Sequence, residues 1–271
     1  MIVTLKPSLS VSDAQAQAIV DRIAPGRRIA RVGALLAGEI SAVFEIELAD
    51  GPPGFVLKVY PETLHWKMRK EIRIADMLDG RLSVPTPRIL LADDSKSLLD
   101  LNFVMTRLEG QNLLRHEPAP SEAHSVFAQM GRALREIHAI QFEAFGYIGA
   151  DGLVTPFASN RAYMLSQFER KVGGFAQLAG WPALAERLKA YVERSVPLLD
   201  ACTTPRLCHY DFHTGNVLAR RLDGRLQLSG IVDLENAIAG DPLMDLAKTI
   251  AYSVRDDATK RAGLLEGYGP I

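Results

Sequence analysis

The sequence changes character near residue 106, and this change limits the folds open to the chain. Before that point, short apolar stretches alternate with turn residues, which is typical of β-strands. A helical segment over 10–24, with Ser10 or Ser12 as its N-cap, precedes them. A second helical segment spans 62–79. The predicted strands fall within 29–50, 55–60 and 83–110.

Helical periodicity dominates the second half of the chain. The first helix there is strongly amphipathic, with Ser121 as its predicted N-cap. A run of strands followed by a run of helices predicts an α+β fold. We expect a small strand-rich lobe over residues 1–106 and a larger, mainly helical lobe over 107–271. The predicted helices of the second lobe are 121–140, 160–178 and 182–200.

Charge and hydropathy disfavour several classes of protein. The 271 residues carry 31 Lys and Arg against 32 Asp and Glu, so a nucleic-acid binder that relies on a general basic field is disfavoured. No run of 18 apolar residues and no secretion signal is present, so we expect a cytoplasmic protein without a membrane span. Two cysteines, Cys202 and Cys208, are too few for a disulfide scaffold or a Cys-based zinc site. The oligomeric state stays open.

The most informative stretch lies between residues 206 and 246. Residues 209–216 read HYDFHTGN, which is the pattern H-x-D-x-x-x-x-N. A hairpin follows, with Asp223-Gly224 at its predicted turn. Its second strand runs into Asp233, so we expect this carboxylate to lie close to Asn216 across the hairpin.

This set of polar side chains suits phosphoryl transfer. Mg²⁺ is a hard cation that takes a few protein oxygens and completes its octahedron with water and phosphate. The Asn216 amide and the Asp233 carboxylate supply such oxygens, and Asp211 is placed to accept a proton from an attacking hydroxyl. In phosphoryl transfer the protein contributes mainly positioning and charge neutralisation, so a small set of this kind suffices.

Two motifs in order resemble those of the aminoglycoside phosphotransferase and choline kinase-like family, whose fold is that of the protein kinases. The family's catalytic loop is often H-G-D-x-H-P-G-N, against HYDFHTGN at 209–216. Its metal-site pattern resembles I-D-W-E-x-x-x-x-G-D-P-x-x-D-L-A, against VDLENAIAGDPLMDLA at 232–247. The stretch LREIHAI at 134–140 is also similar to the family. The resemblance implies a bilobal protein kinase-like fold and an ATP-dependent, Mg²⁺-dependent kinase of small molecules.

The resemblance assigns roles to the three central residues. It implies that Asp211 is the catalytic base, that Asn216 is a Mg²⁺ ligand, and that Asp233 is the main metal ligand. It further implies that His209 braces the catalytic loop. Asp241 and Asp245 fit a structural role, because the family pattern places them in the segment after the metal site.

Kinases also need a lysine on a strand, paired with a glutamate on a helix, to hold the α- and β-phosphates. By resemblance these are Lys58, within the apolar run FVLKVY, and Glu71 in the following helix. The alternative for Lys58 is an edge-strand position. For Glu71 it is a solvated helix face, because Arg69 and Arg73 lie nearby.

Two further segments complete the expected nucleotide site. Residues 36–44, LAGEISAVF, match the loop that covers the phosphates, where the Ser41 hydroxyl and nearby backbone N–H groups are expected to contact phosphate. A plain hairpin turn is the alternative. By resemblance, backbone groups from Thr106 to Leu108 bind the adenine edge. The roles of His213 and Glu235 stay open.

The acceptor is a small molecule with a hydroxyl group, and its identity stays open. A polycationic aminoglycoside would want an acidic cleft, whereas choline would want an aromatic cage. The segment 145–200 contains both aromatic residues and cations, so neither pattern is clean. The alternatives are a choline, amino-alcohol or sugar kinase, or a non-catalytic nucleotide-binding protein of the same fold.

Overall fold

The computed structural model describes residues 10–35, 41–99, 102–179 and 181–271. Five antiparallel strands of the first half form one sheet in the order β1-β2-β3-β5-β4. In its register, Lys58 lies between Val43 and Phe103 of the two flanking strands, so the edge-strand alternative for Lys58 is wrong. The strands are β1 Ile29–Leu35, β2 Ala42–Leu48, β3 Phe55–Val59, β4 Ile89–Asp93 and β5 Asn102–Thr106.

Two α-helices accompany this sheet, as predicted. Helix α1 spans Asp13–Ile23, and the Ser12 side chain caps it by accepting a hydrogen bond from the backbone N–H of Gln15 at 3.3 Å. Helix α2 spans His65–Leu78 and follows a single 3-10 turn at Glu62–Leu64. Helix α1 packs on the sheet through apolar side chains that alternate along the strands.

The second half is mainly helical and carries two small antiparallel sheets, with strand orders β10-β9-β6 and β7-β11-β8. The predicted hairpin is β9–β10, and both turn residues, Asp223 and Gly224, have positive φ. The strands of the second half are β6 Gln111–Asn112, β7 Gly146–Tyr147, β8 Arg206–Cys208, β9 Val217–Leu222, β10 Arg225–Ile231 and β11 Ile238–Gly240. Its helices are α3 Pro120–Ile137, α4 Asn160–Ala179, α5 Pro182–Ser195, α6 Leu243–Thr249 and α7 Ala258–Tyr268.

Helices α3 and α7 pack unusually close to each other, and glycine makes this possible. A Cβ atom at Gly131 would collide with the Leu264 carbonyl, and one at Gly267 would collide with the Ala128 carbonyl. The main core cluster includes side chains from both helices and from the β9–β10 hairpin. The hairpin that follows the catalytic motif therefore packs against closely packed helices.

Two local predictions for the second half were wrong. Helix α3 begins at Pro120 with Ala119 at its N-cap and no side-chain cap, so Ser121 already lies within the helix. Proline is favourable in the first turn because its missing N–H has no intrahelical partner there. The helix predicted over 182–200 ends at Ser195 and continues as a 3-10 helix over Val196–Ala201.

The α+β prediction itself is confirmed, with a sheet in the first half and helices in the second. Strand β5 ends at Thr106, where the boundary between the two lobes is predicted. No helix in the described part of the chain combines the length and apolar character needed to cross a bilayer.

Candidate functional site

A cleft of about 770 Å³ lies between the strand-rich and helical regions. All eight residues predicted to form the active site contribute to its walls, although they come from distant parts of the sequence. A second cavity, of about 620 Å³, lies beside α2 and contains none of them. The eight residues are Ser41, Lys58, Glu71, Thr106, Leu108, Asp211, Asn216 and Asp233.

The structure brings Lys58 of β3 and Glu71 of α2 together as a buried ion pair. The Lys58 Nζ atom lies 2.9 and 2.7 Å from the two carboxylate oxygens of Glu71. Both residues are buried, with 6% and 4% of their surface exposed. An ammonium group within an apolar strand is costly without a partner, and Glu71 is that partner. The alternative of a solvated helix face for Glu71 is therefore wrong.

Glu235 joins this pair from the helical region. Its carboxylate accepts hydrogen bonds from Lys67 at 2.8 Å and from the Tyr60 hydroxyl at 3.2 Å, and it lies 3.8 Å from Lys58 Nζ. The Tyr60 hydroxyl also donates a short hydrogen bond to Glu71. Glu235, whose role the sequence left open, is 5% exposed and is therefore a buried acid. It links α2 to the segment that follows the predicted metal ligand Asp233.

This network contains more negatively charged than positively charged side chains. Burial by itself lowers the pKa of Lys58, but Glu71, Asp233 and Glu235 outweigh it and raise that pKa above its ordinary value. Burial raises the pKa of Glu71, and Lys58 offsets this only in part. Lys67 is the second cation paired within the network. Three carboxylates around two paired lysines leave a negative charge that a divalent cation would neutralise.

Lys70, next to Glu71 on α2, is a buried lysine that pairs with no carboxylate among the described residues. Its Nζ atom has no hydrogen-bond partner there either, and it lies 3.7 Å from the ring centroid of Tyr147. Burial, together with the nearby Lys67, lowers the pKa of Lys70 to about 7, although Glu235 acts in the opposite direction. Lys70 therefore differs sharply from the paired Lys67, one helical turn away.

Asp233 lies directly beyond β10 and beside the catalytic loop, as predicted. The backbone N–H of Val232 donates to the Asn216 carbonyl at 3.0 Å, which joins the two predicted metal-binding segments. Asp233 adopts a left-handed backbone conformation, with φ of 66°. Aspartate tolerates this conformation better than most residues, and such strain concentrates at functional sites. The Asp233 carboxylate lies 3.7 Å from Lys58 Nζ.

The Asp211 carboxylate lies in a cluster of donors and cations. The Asn216 amide nitrogen donates to its backbone carbonyl at 3.0 Å and to its carboxylate at 3.3 Å. Lys248 Nζ lies 2.7 Å from the carboxylate, and His213 Nε2 lies at 3.7 Å. Burial alone raises the pKa of Asp211, but the hydrogen bond and charge of Lys248, followed by the histidines, lower it below its ordinary value. Asp211 is therefore held in its ionised form, ready to accept a proton.

A buried acid fixes the backbone that precedes Asp211. The Asp245 carboxylate, which is fully buried, accepts hydrogen bonds from the backbone N–H groups of His209 and Tyr210, each at 2.7 Å. Tyr210 has φ of 63°, which is strained for a bulky residue and persists only when its surroundings impose it. His138 Nε2 lies 3.0 Å from the same carboxylate. This arrangement agrees with the structural role predicted for Asp245.

His209 contacts the segment that precedes Asp233 rather than facing the cleft. Its Nε2 atom lies 3.1 Å from the Val232 carbonyl, and 2% of the residue is exposed. This contact agrees with the predicted bracing role. The neighbouring Asp241 accepts the backbone N–H of Leu243 at 2.9 Å at the start of α6, which also agrees with a structural role.

The predicted metal ligands fit a magnesium ion by their chemistry. The Asn216 amide nitrogen donates to Asp211, whereas its amide oxygen accepts no hydrogen bond from the residues that the structure describes, and Asn216 lines the cleft. The Asp233 carboxylate accepts no hydrogen bond within the described part of the chain, and Lys58 is its nearest cation. Two hard oxygen ligands in a region of surplus negative charge suit Mg²⁺, which takes its remaining ligands from water and phosphate.

Some of the groups predicted to contact the nucleotide already form hydrogen bonds within the protein. The Thr106 N–H donates to the Arg88 carbonyl at 2.9 Å, and the Thr106 hydroxyl accepts from the Arg88 N–H. The Leu108 N–H has no partner within the described residues, so it is the better donor for an adenine edge. Ser41 lines the cleft next to β2 and is 2% exposed. Residues 36–40 of the predicted phosphate loop lie outside the described residues.

Sequence reasoning missed two cations of the site, Lys67 and Lys248. Lys67 precedes Glu71 by one helical turn, so helical periodicity places both on the same face of α2. Lys248 directly follows the DLA tripeptide of the second motif. Their partners lie far away in the sequence, and no local pattern points to them.

Comparison with known proteins finds solved structures of the same fold. The chain resembles a putative fructosamine-3-kinase from Thermobifida fusca, with 21% identity and a TM-score of 0.64 over 94% of this chain and 84% of the other. It also resembles a type I macrolide 2'-phosphotransferase, with 17% identity and a TM-score of 0.65 over 97% and 83%. A thermostable mutant of the aminoglycoside phosphotransferase APH(4)-Ia, in a ternary complex with ADP and hygromycin B, has 19% identity and a TM-score of 0.57 over 86% and 74%.

At these identities the structural similarity establishes a shared fold, while the sequence match to a family is what classifies the chain. The APH family, described as the phosphotransferase enzyme family, matches residues 32–271. This range includes Lys58, the catalytic loop and the segment with Asp233. The chain therefore belongs to the phosphotransferase enzyme family.

Proposed function

We propose that this protein transfers the γ-phosphoryl group of ATP to a hydroxyl group of a small molecule, with Mg²⁺ as cofactor. One observation carries the proposal: Asp211, Asn216 and Asp233 face the Lys58–Glu71 pair across a single cleft. Thermostable mutants of the similar aminoglycoside phosphotransferase APH(4)-Ia have been crystallised in ternary complexes with hygromycin B and either ADP or AMP-PNP. Their complexes support a nucleotide and a hydroxyl compound as the two substrates.

Asp211 acts on the acceptor. Its ionised carboxylate accepts the proton of the acceptor hydroxyl as the hydroxyl oxygen forms a bond to the γ-phosphorus. The bond from that phosphorus to the bridging oxygen breaks, and ADP leaves with the electron pair. Asn216 orients Asp211 through the hydrogen bond from its amide nitrogen.

The opposite wall of the cleft binds the nucleotide. Lys58, held by Glu71, contacts the α- and β-phosphates, and the Ser41 hydroxyl is a further phosphate contact. The free Leu108 N–H donates to the adenine edge, and the Thr106 segment flanks it. Asn216 and Asp233 hold Mg²⁺, which neutralises phosphate charge when bound.

The proposal is tested with Asp211→Asn, which keeps the shape of the side chain and removes the proton acceptor. We expect kcat for ADP formation, measured with hydroxyl compounds as acceptors, to fall by about 10²–10⁴-fold. The Kd for Mg-ATP, measured by calorimetry, should change little because Asp211 does not hold the nucleotide. The matched control is Asp256→Asn, which removes an exposed carboxylate.

Undiminished turnover in Asp211→Asn would contradict the assigned mechanism. Tight Mg-ATP binding by the unmodified protein, without ADP formation with any acceptor or with water, would indicate a non-catalytic nucleotide-binding protein. Loss of Mg-ATP binding on removal of Mg²⁺ with EDTA is also expected, since Asn216 and Asp233 hold the nucleotide through the metal.

A further inference from the structure

The acceptor hydroxyl must approach the Asp211 carboxylate, so the side chains of α4 and α6 that lie near Asp211 contact the rest of the acceptor. This reasoning rests on the proposed function. Lys248 of α6 lies 2.7 Å from that carboxylate and also donates to the Tyr210 carbonyl at 2.9 Å. Lys171 of α4 lies 3.4 Å from the Tyr210 hydroxyl. Two lysines from separate helices therefore meet at Tyr210, the residue before the catalytic base.

Both lysines lie close to nearby aromatic rings, Lys171 on the hydroxyl side of the Tyr210 ring. The ammonium groups of Lys171 and Lys248 lie 5.8 and 5.5 Å from the ring centroid of Tyr210. Lys248 also lies 5.8 Å from the centroid of Tyr252, a residue that is 63% exposed. Cation–π contacts of this length hold a lysine in place without cancelling its charge.

The positive charge on this side is poorly compensated. Within the described residues, Lys171 has no carboxylate at ion-pairing distance, and the carboxylate that pairs with Lys248 is Asp211 itself. The neighbouring Arg170 contacts the Gln167 amide at 2.9 Å. Arg161 of the same helix, by contrast, forms a bidentate ion pair with Asp200. Lys171, the cation of α4 that contacts Tyr210, is thus without a carboxylate partner among the described residues.

Two classes of acceptor fit this surface badly. A polycation would meet two lysines whose one carboxylate partner among the described residues is Asp211, which the transfer step itself requires. A quaternary ammonium compound would need an aromatic cage free of other cations, and the ammonium groups of Lys171 and Lys248 already lie beside the Tyr210 ring. A neutral hydroxyl compound would leave the Lys171 charge unused.

We infer that the acceptor carries an anionic group, a carboxylate or a phosphate, in addition to the hydroxyl that is phosphorylated. Lys171 binds this anionic group beside Tyr210. Lys248 lies between it and Asp211, where it also faces the phosphoryl group during transfer. A charge-assisted hydrogen bond to Lys171 then sets the distance from the anion to the reacting hydroxyl.

The inference is tested with acceptors that share one ring and differ in charge: glucuronate, glucose 6-phosphate, glucose and glucosamine. ADP formation with Mg-ATP gives kcat/KM for each compound. We expect the better of the two anions to exceed glucose by about tenfold or more, since one charge-assisted hydrogen bond has an effect of that size. Glucosamine should be the poorest. The comparison of glucuronate with glucose 6-phosphate shows whether a carboxylate or a phosphate is preferred.

The lysine itself is tested with Lys171→Met. We expect KM for the preferred anion to rise about tenfold while kcat and KM for glucose change little. The matched control is Lys189→Met on α5, which removes the same charge from an exposed position away from the catalytic loop. Because Lys171 is exposed, the variant should fold normally, which its melting temperature checks.

The inference is overturned if glucose or glucosamine equals or exceeds both anions, if neither anion is turned over, or if Lys171→Met and Lys189→Met behave alike. These outcomes differ from a failure of the proposed function. In that case the protein would form no ADP with any acceptor or with water, whatever the charge of the compound.

Discussion

The nucleotide side and the acceptor side of the cleft treat charge in opposite ways. On the nucleotide side, Lys58, Lys67, Glu71 and Glu235 are buried and neutralise one another through short contacts. On the acceptor side, Lys171 is exposed and has no carboxylate partner within the described residues. The first arrangement is rigid because breaking it leaves a buried charge, whereas the second keeps its charge available to a ligand.

This difference indicates how the two halves contribute to the reaction. A preorganised buried network places phosphates at fixed positions before binding, which lowers the reorganisation needed in the transition state. An open, uncompensated surface costs the fold little and selects among acceptors. Changes on the nucleotide side should therefore affect both folding and rate, while changes on the acceptor side should affect mainly KM.

The largest effect is expected from breaking the buried side with Lys58→Met. Leaving its carboxylate partners unpaired should lower the free energy of unfolding by about 3–5 kcal/mol and kcat by about 10²–10³-fold. The double variant Lys58→Met/Glu71→Gln should recover most of the stability without the rate. Urea unfolding and ADP formation measure the two effects separately. Recovery of both in the double variant would show that Lys58 serves the fold alone.

An intermediate effect is expected from Asp245→Asn, which disturbs the base of the catalytic loop. The amide supplies one acceptor where the carboxylate supplies two, so the N–H of His209 or Tyr210 loses its partner, at about 1–3 kcal/mol. We expect kcat to fall more than Mg-ATP affinity. Tyr268→Phe is the control, because it removes the hydroxyl contact to His138 and leaves both backbone contacts of Asp245. Equal kcat in both variants would contradict this role.

The smallest effect is expected on α2, where replacing Lys70 or Lys67 should change stability in opposite directions. Lys70→Met removes a buried ammonium without a carboxylate and should raise the free energy of unfolding by about 1 kcal/mol at pH 6, because the lost Tyr147 contact offsets part of the gain. Lys67→Met, by contrast, should destabilise the protein, since it leaves Glu235 without its closest cation.

The pH dependence of this effect follows from the pKa of Lys70, which is lowered to about 7 from an ordinary value of 10.5. Between these values the unfolded chain holds a proton that the folded chain has released, so the contribution of Lys70 to stability rises with pH. The advantage of Lys70→Met should therefore be largest below pH 7 and shrink toward pH 10.5. Thermal unfolding at pH 6 and 9.5 measures this. A destabilising effect of equal size at both pH values would contradict it.

Much of the candidate site was predictable because its parts lie close together in sequence. Asp211 and Asn216 share one short loop, and the β9–β10 hairpin returns the chain to Asp233 beside them. A charged residue within the apolar run of β3 required a buried partner, and Glu71 in the next helix was the candidate that the resemblance supplied. Helix ends were less predictable, as Ser121 shows, because a proline in the first turn competes with a nearby serine cap.

By itself, the sequence determined the fold class and the residues that face one another across the hairpin, since alternation, turn chemistry and spacing act over short distances. The family came from the resemblance of two motifs, at 209–216 and 232–247, and from the family match. The tertiary structure decided the charges that surround the residues facing one another across the hairpin. Lys67 meets Glu235 across 168 positions, and the contacts of Asp211 with Lys248 and of Tyr210 with Lys171 also join separate elements. Such contacts depend on how whole helices pack, which no local pattern encodes, and they determine whether an ammonium group is neutralised or left for a ligand.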